Sequence, residues 1–313
     1  MPAFVHHPHY RAVLEDGHAV TINKYQRIAE ILIEEGLDGG RGLVLPDPAD
    51  AATLALAHDP GYVQAALELA LPDEMRRRIG LPMTQEVVRR ACAVCGGTLL
   101  AARLALAEGL ACNTAGGSHH AARAAGAGYC IFNDVAVAAA ALLAGGEAQR
   151  ILVIDLDVHQ GDGTAGIFAD EPRVFTFSMH AAKNFPVRKA RSDLDVPLED
   201  GVEDAAYLDI LGRHLSALLE PGWDLVLYVA GVDPHRDDRL GRLALTDAGL
   251  FRRDRAVLEA CRVRRIPLAG VLGGGYDRDV DRIARRHLLL HRAAAERDGL
   301  QDRPLPDGLG SRA

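Results

Sequence analysis

The chain has 313 residues, 35 Lys and Arg against 43 Asp and Glu, and a formal net charge of −8. At 49% hydrophobic residues it is not a disordered chain, and it carries enough apolar side chains for one large core. The acidic balance gives no support to nucleic-acid binding as the main activity, and long-range attraction alone favours a basic or neutral substrate.

The opening "MPAFVHHPHYRAVLEDG" has no long apolar stretch behind a basic start, so it does not read as a secretory signal. Its "HHPH" is read as structural or surface rather than metal-binding. A helix is expected over 24–36, a strand over "GLVLP" at 42–46, and helices over 61–71 and 84–109. The last contains Cys92 and Cys95, a CxxC with no second pair to close a zinc site, which reads as helix packing. Five scattered cysteines argue against a disulfide framework and for a reducing cytoplasm. A strand follows at 111–117, then a helix at 133–146 opened by the capping residues Asn133 and Asp134. Its apolar run over 135–146 is too short for a bilayer, which takes about 20 residues, so no membrane partner is expected. Strands at 150–157, 173–179, 224–231 and 266–275 alternate with helices at 204–219, 247–264 and 278–295. No linker or repeat divides residues 1–295, which are expected to form one catalytic domain; the polar, Gly- and Pro-rich 296–313 reads as a flexible tail. Apolar strands alternating with helices indicate an α/β fold with a parallel sheet covered on both faces.

The unusual polar residues follow the ends of five different strands. They are "GGSHHA" (116–121), "DLDVHQGDG" (155–163), "SMH" (178–180), "GVDPHRDD" (231–238) and "GGGY" (273–276). In open α/β sheets ligands bind beyond the carboxyl ends of the strands, so these segments are expected to converge. Asp157 and His159, two apart on a segment read as extended, would point the same way, and Asp233 ends a later strand. Taken singly, these acids read as caps. Together, two carboxylates and one imidazole make a three-ligand divalent site of the catalytic, open kind, suited to Zn²⁺ and also to Fe²⁺, Mn²⁺ or Co²⁺. Adjacent His119 and His120 can exchange a proton with water there if carboxylates orient them, and Asp155 and Asp162 are the spare acids. Tyr276, behind three glycines, can donate a hydrogen bond to a developing oxyanion.

With "GYCIFND" between the first two, these segments in this order resemble the zinc-dependent histone deacetylase superfamily over about residues 4–290. The segments "DRLG" after Asp233 and "RRIP" before the Gly-Tyr turn look most like its class IV branch, and "HPHY…KYQRIAEIL" like bacterial members. The resemblance implies the three-layer α/β/α arginase/deacetylase fold around a mostly parallel eight-stranded sheet. It implies a metal-dependent deacylase that hydrolyses the amide of an N-acyl-lysine or N-acyl-polyamine, with one Zn²⁺ (or Fe²⁺) per chain on Asp157, His159 and Asp233. His120 matches the general base and acid, paired with Asp162. His119, paired with Asp155, matches an electrostatic partner, and Tyr276 the carbonyl-polarising tyrosine. A structural potassium site would use Asp155 and Ser178 with carbonyls around Asp157, His159 and Met179. Gly128, Tyr129, Phe185, Leu240 and Gly274 would form the acyl tunnel. Two departures stand out: no acidic rim residue is found, and the loop 180–195 differs from the usual glycine-rich version. The alternatives are an acetylpolyamine amidohydrolase, a sensor that binds an acyl ligand without cleaving it, and a binuclear manganese ureohydrolase. The last is disfavoured because "AGVDPH" supplies only one acid.

Overall fold

The structure, a computed structural model, describes residues 1–12, 23–220 and 222–296; the expected tail at 296–313 lies outside these but for its first residue. Seven strands form one sheet among the described residues: β1 (Ala3–Val5), β2 (Leu110–Asn113), β3 (Ile151–Asp155), β4 (Val174–Ala181), β5 (Leu194–Leu198), β6 (Leu225–Val229) and β7 (Leu268–Val271). Their order is β1-β2-β7-β6-β3-β4-β5 and every pairing is parallel. All carboxyl ends therefore lie along one edge, with the ends of β3 and β6 side by side in the middle.

The central strands are apolar because both faces are covered; β3 and β6 are buried at every position. The Gln85–Glu108 and Asp134–Ala144 helices pack on each other, while Asp204–Leu218, Asp247–Arg264, Val280–Glu296 and Lys24–Glu34 pack in succession as the other helical layer. Gln85–Glu108 is long and apolar enough to cross a membrane, yet 67% of its most apolar window is buried inside this fold. Cys92 and Cys95 lie in it, buried and free.

The sheet has seven strands where the resemblance implied eight, and the strand expected at 42–46 is reduced to one bridge, Val44 to Val5, with Val44 N–H donating to the Phe4 carbonyl and the Val44 carbonyl accepting His6 N–H. Glycines with positive φ at Gly39, Gly40 and Gly42 precede it and Pro46 follows, so the chain is extended only briefly. Two strands escaped the sequence reading. β1 has three residues, too few for an alternation to register. β5, "LDVPL", is a partly exposed edge strand interrupted by Asp195 and Pro197. The short helices Ala51–Leu54, Asp73–Ile79 and Asp162–Ile167 were also missed, and the last two shape the site.

Candidate active site

β3 ends at Asp155, and the chain bends through 157–159 instead of staying extended. The shared direction of Asp157 and His159 therefore does not come from strand alternation. It comes from a local turn, in which Asp157 Oδ1 accepts the His159 N–H at 2.9 Å and lies 3.0 Å from His159 Nδ1. Asp233, beyond the end of β6, brings Oδ2 to 3.0 Å from the same nitrogen. The far oxygens are fixed by backbone amides: Gly274 N–H donates to Asp157 Oδ2 at 2.5 Å, and Val158 N–H to Asp233 Oδ1 at 2.9 Å. One atom from each of Asp157, His159 and Asp233 lies within 4.8 Å of the others, and all three residues are buried. Two buried carboxylates against one imidazole leave uncompensated negative charge, and an O, N, O donor set facing a cavity suits a divalent cation.

The histidine pair follows β2 through Gly116 and Gly117. The buried Asp134 carboxylate accepts Gly117 N–H at 3.1 Å and Ser118 N–H at 2.7 Å, and Asn133 Nδ2 donates to the Ala121 carbonyl at 3.1 Å. The start of the next helix thus clamps the loop. His119 Nδ1 lies 2.7 Å from Asp155 Oδ2 and His120 Nδ1 lies 2.6 Å from Asp162 Oδ1, the first residue of Asp162–Ile167. A carboxylate only accepts, so each Nδ1 carries the proton and each Nε2 is left for the site. Burial pushes the His120 imidazole down to about 4, helped by the neighbouring His119; Asp162 opposes this without reversing it. Burial acts on His119 in the same direction, but the Asp155 and Asp157 charges outweigh it and hold it up at about 9. One histidine is thus neutral near pH 7 and the other cationic.

Tyr276 is held by its backbone, its N–H donating to Asp238 Oδ2 at 2.7 Å. Its ring centroid lies 6.2 Å from that of His159. Burial, with Asp233 and Asp157 close by, keeps the phenol protonated well above its usual range. Among the described residues it makes no hydrogen bond, so its O–H is free for a ligand.

A cavity of about 310 Å³ leads to this cluster, lined by Gly128, Tyr129, Phe185 and Leu240 together with His120, His159 and Tyr276. Phe185 meets the His120 ring edge-on at 4.8 Å. Gly128, at φ +53°, presses on His120: a Cβ there would lie 2.5 Å from its Cδ2. Gly274 does not line this cavity. It stands behind it, against the two aspartates, on a chamber of about 50 Å³ that also touches Lys24, Arg90 and Cys130. Asp155 and Ser178 are register partners on β3 and β4, with Ser178 Oγ 2.9 Å from His180 Nδ1 and Met179 the next residue of β4.

Sequence reading missed several contributors. Arg77, Arg78, Ile79 and Gly80 line the cavity mouth from the Asp73–Ile79 helix. Asn184 Nδ2 donates to the Leu240 carbonyl at 2.8 Å and stands 3.3 Å from His159 Nε2. Buried Arg253 donates from one nitrogen to the carbonyls of Leu156 and Gly231, bracing the chain where it leaves β3 and β6. Lys24 Nζ donates to the Gly275 carbonyl at 3.0 Å, under the Tyr276 turn. These are contacts across 97 or more residues for Arg253 to Leu156 and 251 for Lys24 to Gly275, so no local motif announces them.

A parallel α/β sheet carrying a buried Asp–His–Asp cluster that could hold a metal, with two His–Asp dyads at its carboxyl edge, has the arrangement of a hydrolase site. The histone deacetylase domain matches residues 18–290 of the chain. An uncharacterized protein of Picosynechococcus sp. is 49% identical over 293 residues, 93% of this chain and 98% of that protein. Histone deacetylase 2 of Arabidopsis thaliana is 30% identical over 282 residues, 86% of this chain and 72% of that protein. The crystal structure of the HDA15 HD domain superposes with a TM-score of 0.73 at 22% identity, over 94% of this chain and 87% of that one, a likeness of fold. The chain belongs to the histone deacetylase family and is a deacetylase-type hydrolase.

Proposed function

We propose that this protein removes an acyl group from the side-chain amine of lysine in a peptide or protein, as a single catalytic domain of class IV character in the cytoplasm. The observation that carries the reading is the 310 Å³ cavity, which His120, Tyr276 and His159 of the Asp157–His159–Asp233 cluster line together. The "DRLG" segment supports the class: Asp238 accepts the Leu240 and Gly241 amides as well as that of Tyr276, tying the segment to the tyrosine turn. Five buried cysteines, none in a disulfide, fit a reducing compartment.

Asp157, His159 and Asp233 would hold Zn²⁺, with Fe²⁺ also compatible, and the ion when bound supplies Lewis acidity toward a carbonyl and lowers the pKa of water. The protein's residues do the rest. His120 Nε2, unprotonated near pH 7, takes the proton of the attacking water, while Asp162 keeps its tautomer and the imidazolium that results. His119, cationic and paired to Asp155, opposes the negative charge that builds on the substrate. Tyr276 donates its O–H to the carbonyl oxygen as it becomes an oxyanion. His120 then returns the proton to the departing nitrogen; the C–N bond breaks, leaving a free amine and a carboxylate. Phe185, Tyr129 and Gly128 confine the acyl-bearing chain.

Potassium at the ends of β3 and β4 belongs to the same proposal. The carbonyls of Asp157 and His159 accept no hydrogen bond among the described residues, which leaves them, with Asp155 and Ser178, as oxygen ligands.

The test is hydrolysis of acyl-lysine peptides of graded chain length by metal-loaded protein, with metal counted per chain. Release of amine with one transition metal bound supports the deacylase. Tight binding of an acyl-lysine without turnover of any chain length would favour a sensor, cleavage confined to acetylated diamines a polyamine amidohydrolase, and two manganese ions per chain a ureohydrolase.

A further inference from the structure

The mouth of the cavity carries a charge opposite to that of the chain. Arg77 and Arg78, both exposed, line it from the last turn of the Asp73–Ile79 helix. Among the described residues neither side chain makes a hydrogen bond or ion pair. Arg76 beside them differs, since its guanidinium donates to the Leu71 and Leu69 carbonyls. A second cationic element borders the same mouth. Phe185 sits in "KNFPVRKAR", residues 183–191, which holds Lys183, Arg188, Lys189 and Arg191 and no acid; Lys183 is taken up by Asp200 at 3.6 Å and Glu199 at 3.9 Å, which leaves the other three. Lys189 Nζ donates to the Asn184 and Pro186 carbonyls, folding the segment on itself, and Arg188 and Arg191 remain exposed. No carboxylate is among the residues lining the cavity. The acid on the neighbouring "DRLG" segment, Asp238, is directed inward onto the amides of Leu240, Gly241 and Tyr276.

This concentration of positive charge on a protein of net charge −8 is local, and it acts where the substrate's flanking groups must lie. A polyamine would bring a second ammonium to the arginines, and a lysine embedded in a basic segment would bring several. Cations on two separate elements also need a ligand that extends across the mouth on either side of the inserted chain, which a peptide does and a small acylated amine does not. We infer that the mouth formed by Arg77, Arg78 and the 183–191 segment selects acylated lysines flanked by aspartate and glutamate in a peptide. This reverses the preference for basic substrates that net charge alone implies, and it rests on the deacylase reading above.

The experiment uses the metal-loaded full chain and three matched acyl-lysine peptides whose flanking residues are acidic, neutral or basic, with N-acetylputrescine as the cationic small amine. At low salt kcat/KM is expected to be about tenfold higher for the acidic than for the basic peptide, with the two converging as salt screens the rim. Arg77→Glu with Arg78→Glu is expected to bring that ratio to one or below; both sites are exposed, and an unchanged melting temperature verifies the fold. A ratio near one in the wild type, a preference for the basic peptide, faster cleavage of N-acetylputrescine, or a ratio unmoved by the double substitution overturns the inference. Fluorescence anisotropy with the same labelled peptides separates it from the deacylase reading. Tighter binding of the acidic peptide without hydrolysis of any peptide leaves the mouth assignment standing and sinks the deacylase.

Discussion

Gly274→Ala tests the cluster through one methyl group. The glycine's backbone is not in the left-handed region, so alanine meets no torsional objection. Its Cβ would lie 1.9 Å from Asp233 Oδ2 and 3.0 Å from Asp157 Oδ2. Ordinary contact requires the Asp233 oxygen to retreat by about 1.5 Å, and a misplacement of about 1 Å already costs on the order of 100-fold when it moves catalytic groups. The same shift strains the 2.5 Å bond from Gly274 N–H to Asp157, a charge-assisted hydrogen bond worth roughly 1.5–3 kcal/mol. The nearest atoms are the two aspartates, so the fold is expected to survive while metal affinity falls about 10- to 100-fold or more. Titration against a chelator of known affinity measures the metal, and steady-state hydrolysis measures turnover. A folded Gly274→Ala protein with wild-type metal affinity and wild-type kcat would refute the assignment of Asp157 and Asp233 as ligands.

Tyr276→Phe is expected to keep its metal and its melting temperature but lose about 100- to 1,000-fold in kcat, since only an oxyanion donor is removed; near-normal turnover in the folded variant would sink that role. Arg253→Met leaves Asp254 and the Leu156 and Gly231 carbonyls without their partner. Breaking such a buried pair costs about 3–5 kcal/mol, and chelator competition should show weaker metal binding that Arg253→Lys partly restores; unchanged metal affinity in Arg253→Met counts against the bracing role. Stability should fall in acid for a definite reason. Burial holds His58, whose ring lies 3.0 Å from the Ala122 carbonyl and accepts Asn133 N–H, down at about 4 from 6.5. The unfolded chain therefore binds the extra proton first: this stability is fully present above pH 6.5 and is lost as pH falls toward 4, up to roughly 3 kcal/mol for one such histidine. His6, His180 and His291 are lowered to about 4 as well, also by burial first. A melting temperature that stays level from pH 7 to pH 4.5 would contradict this.

The gathering of the polar residues at one edge was legible in the sequence, and the reason is the parallel sheet. When strands are buried on both faces they must be apolar, so ionisable groups such as Asp155, Asp157, His159 and Asp233 stand out at their ends. The five polar segments could be listed together because parallel strands place all their carboxyl ends on one edge. Where the reading erred, the signal was short or non-local. Val44 contributes one bridge where a strand was expected, and β5 hides behind Asp195 and Pro197. Gly274 was read as tunnel wall and packs against Asp157 and Asp233, because a glycine's position depends on what surrounds it.

By itself the sequence determined the class of fold and which acids and imidazoles stand at the strand ends, since both follow from local properties: apolar runs that must be buried, and ionisable groups that no apolar run would otherwise carry. The family resemblance implied which acid serves which histidine, and only the tertiary structure brings each pair within hydrogen-bond distance. Asp155 and Asp162 lie 36 and 42 residues from the histidines they orient, and the distance between them is set by folding, not by spacing. The tertiary structure also decided which charges stand at the opening. Net charge is a sum over all residues, whereas the mouth is built from the few side chains that packing leaves there: Arg77 and Arg78 line it and no carboxylate does, although Asp73 and Glu74 lie one turn earlier on the same helix.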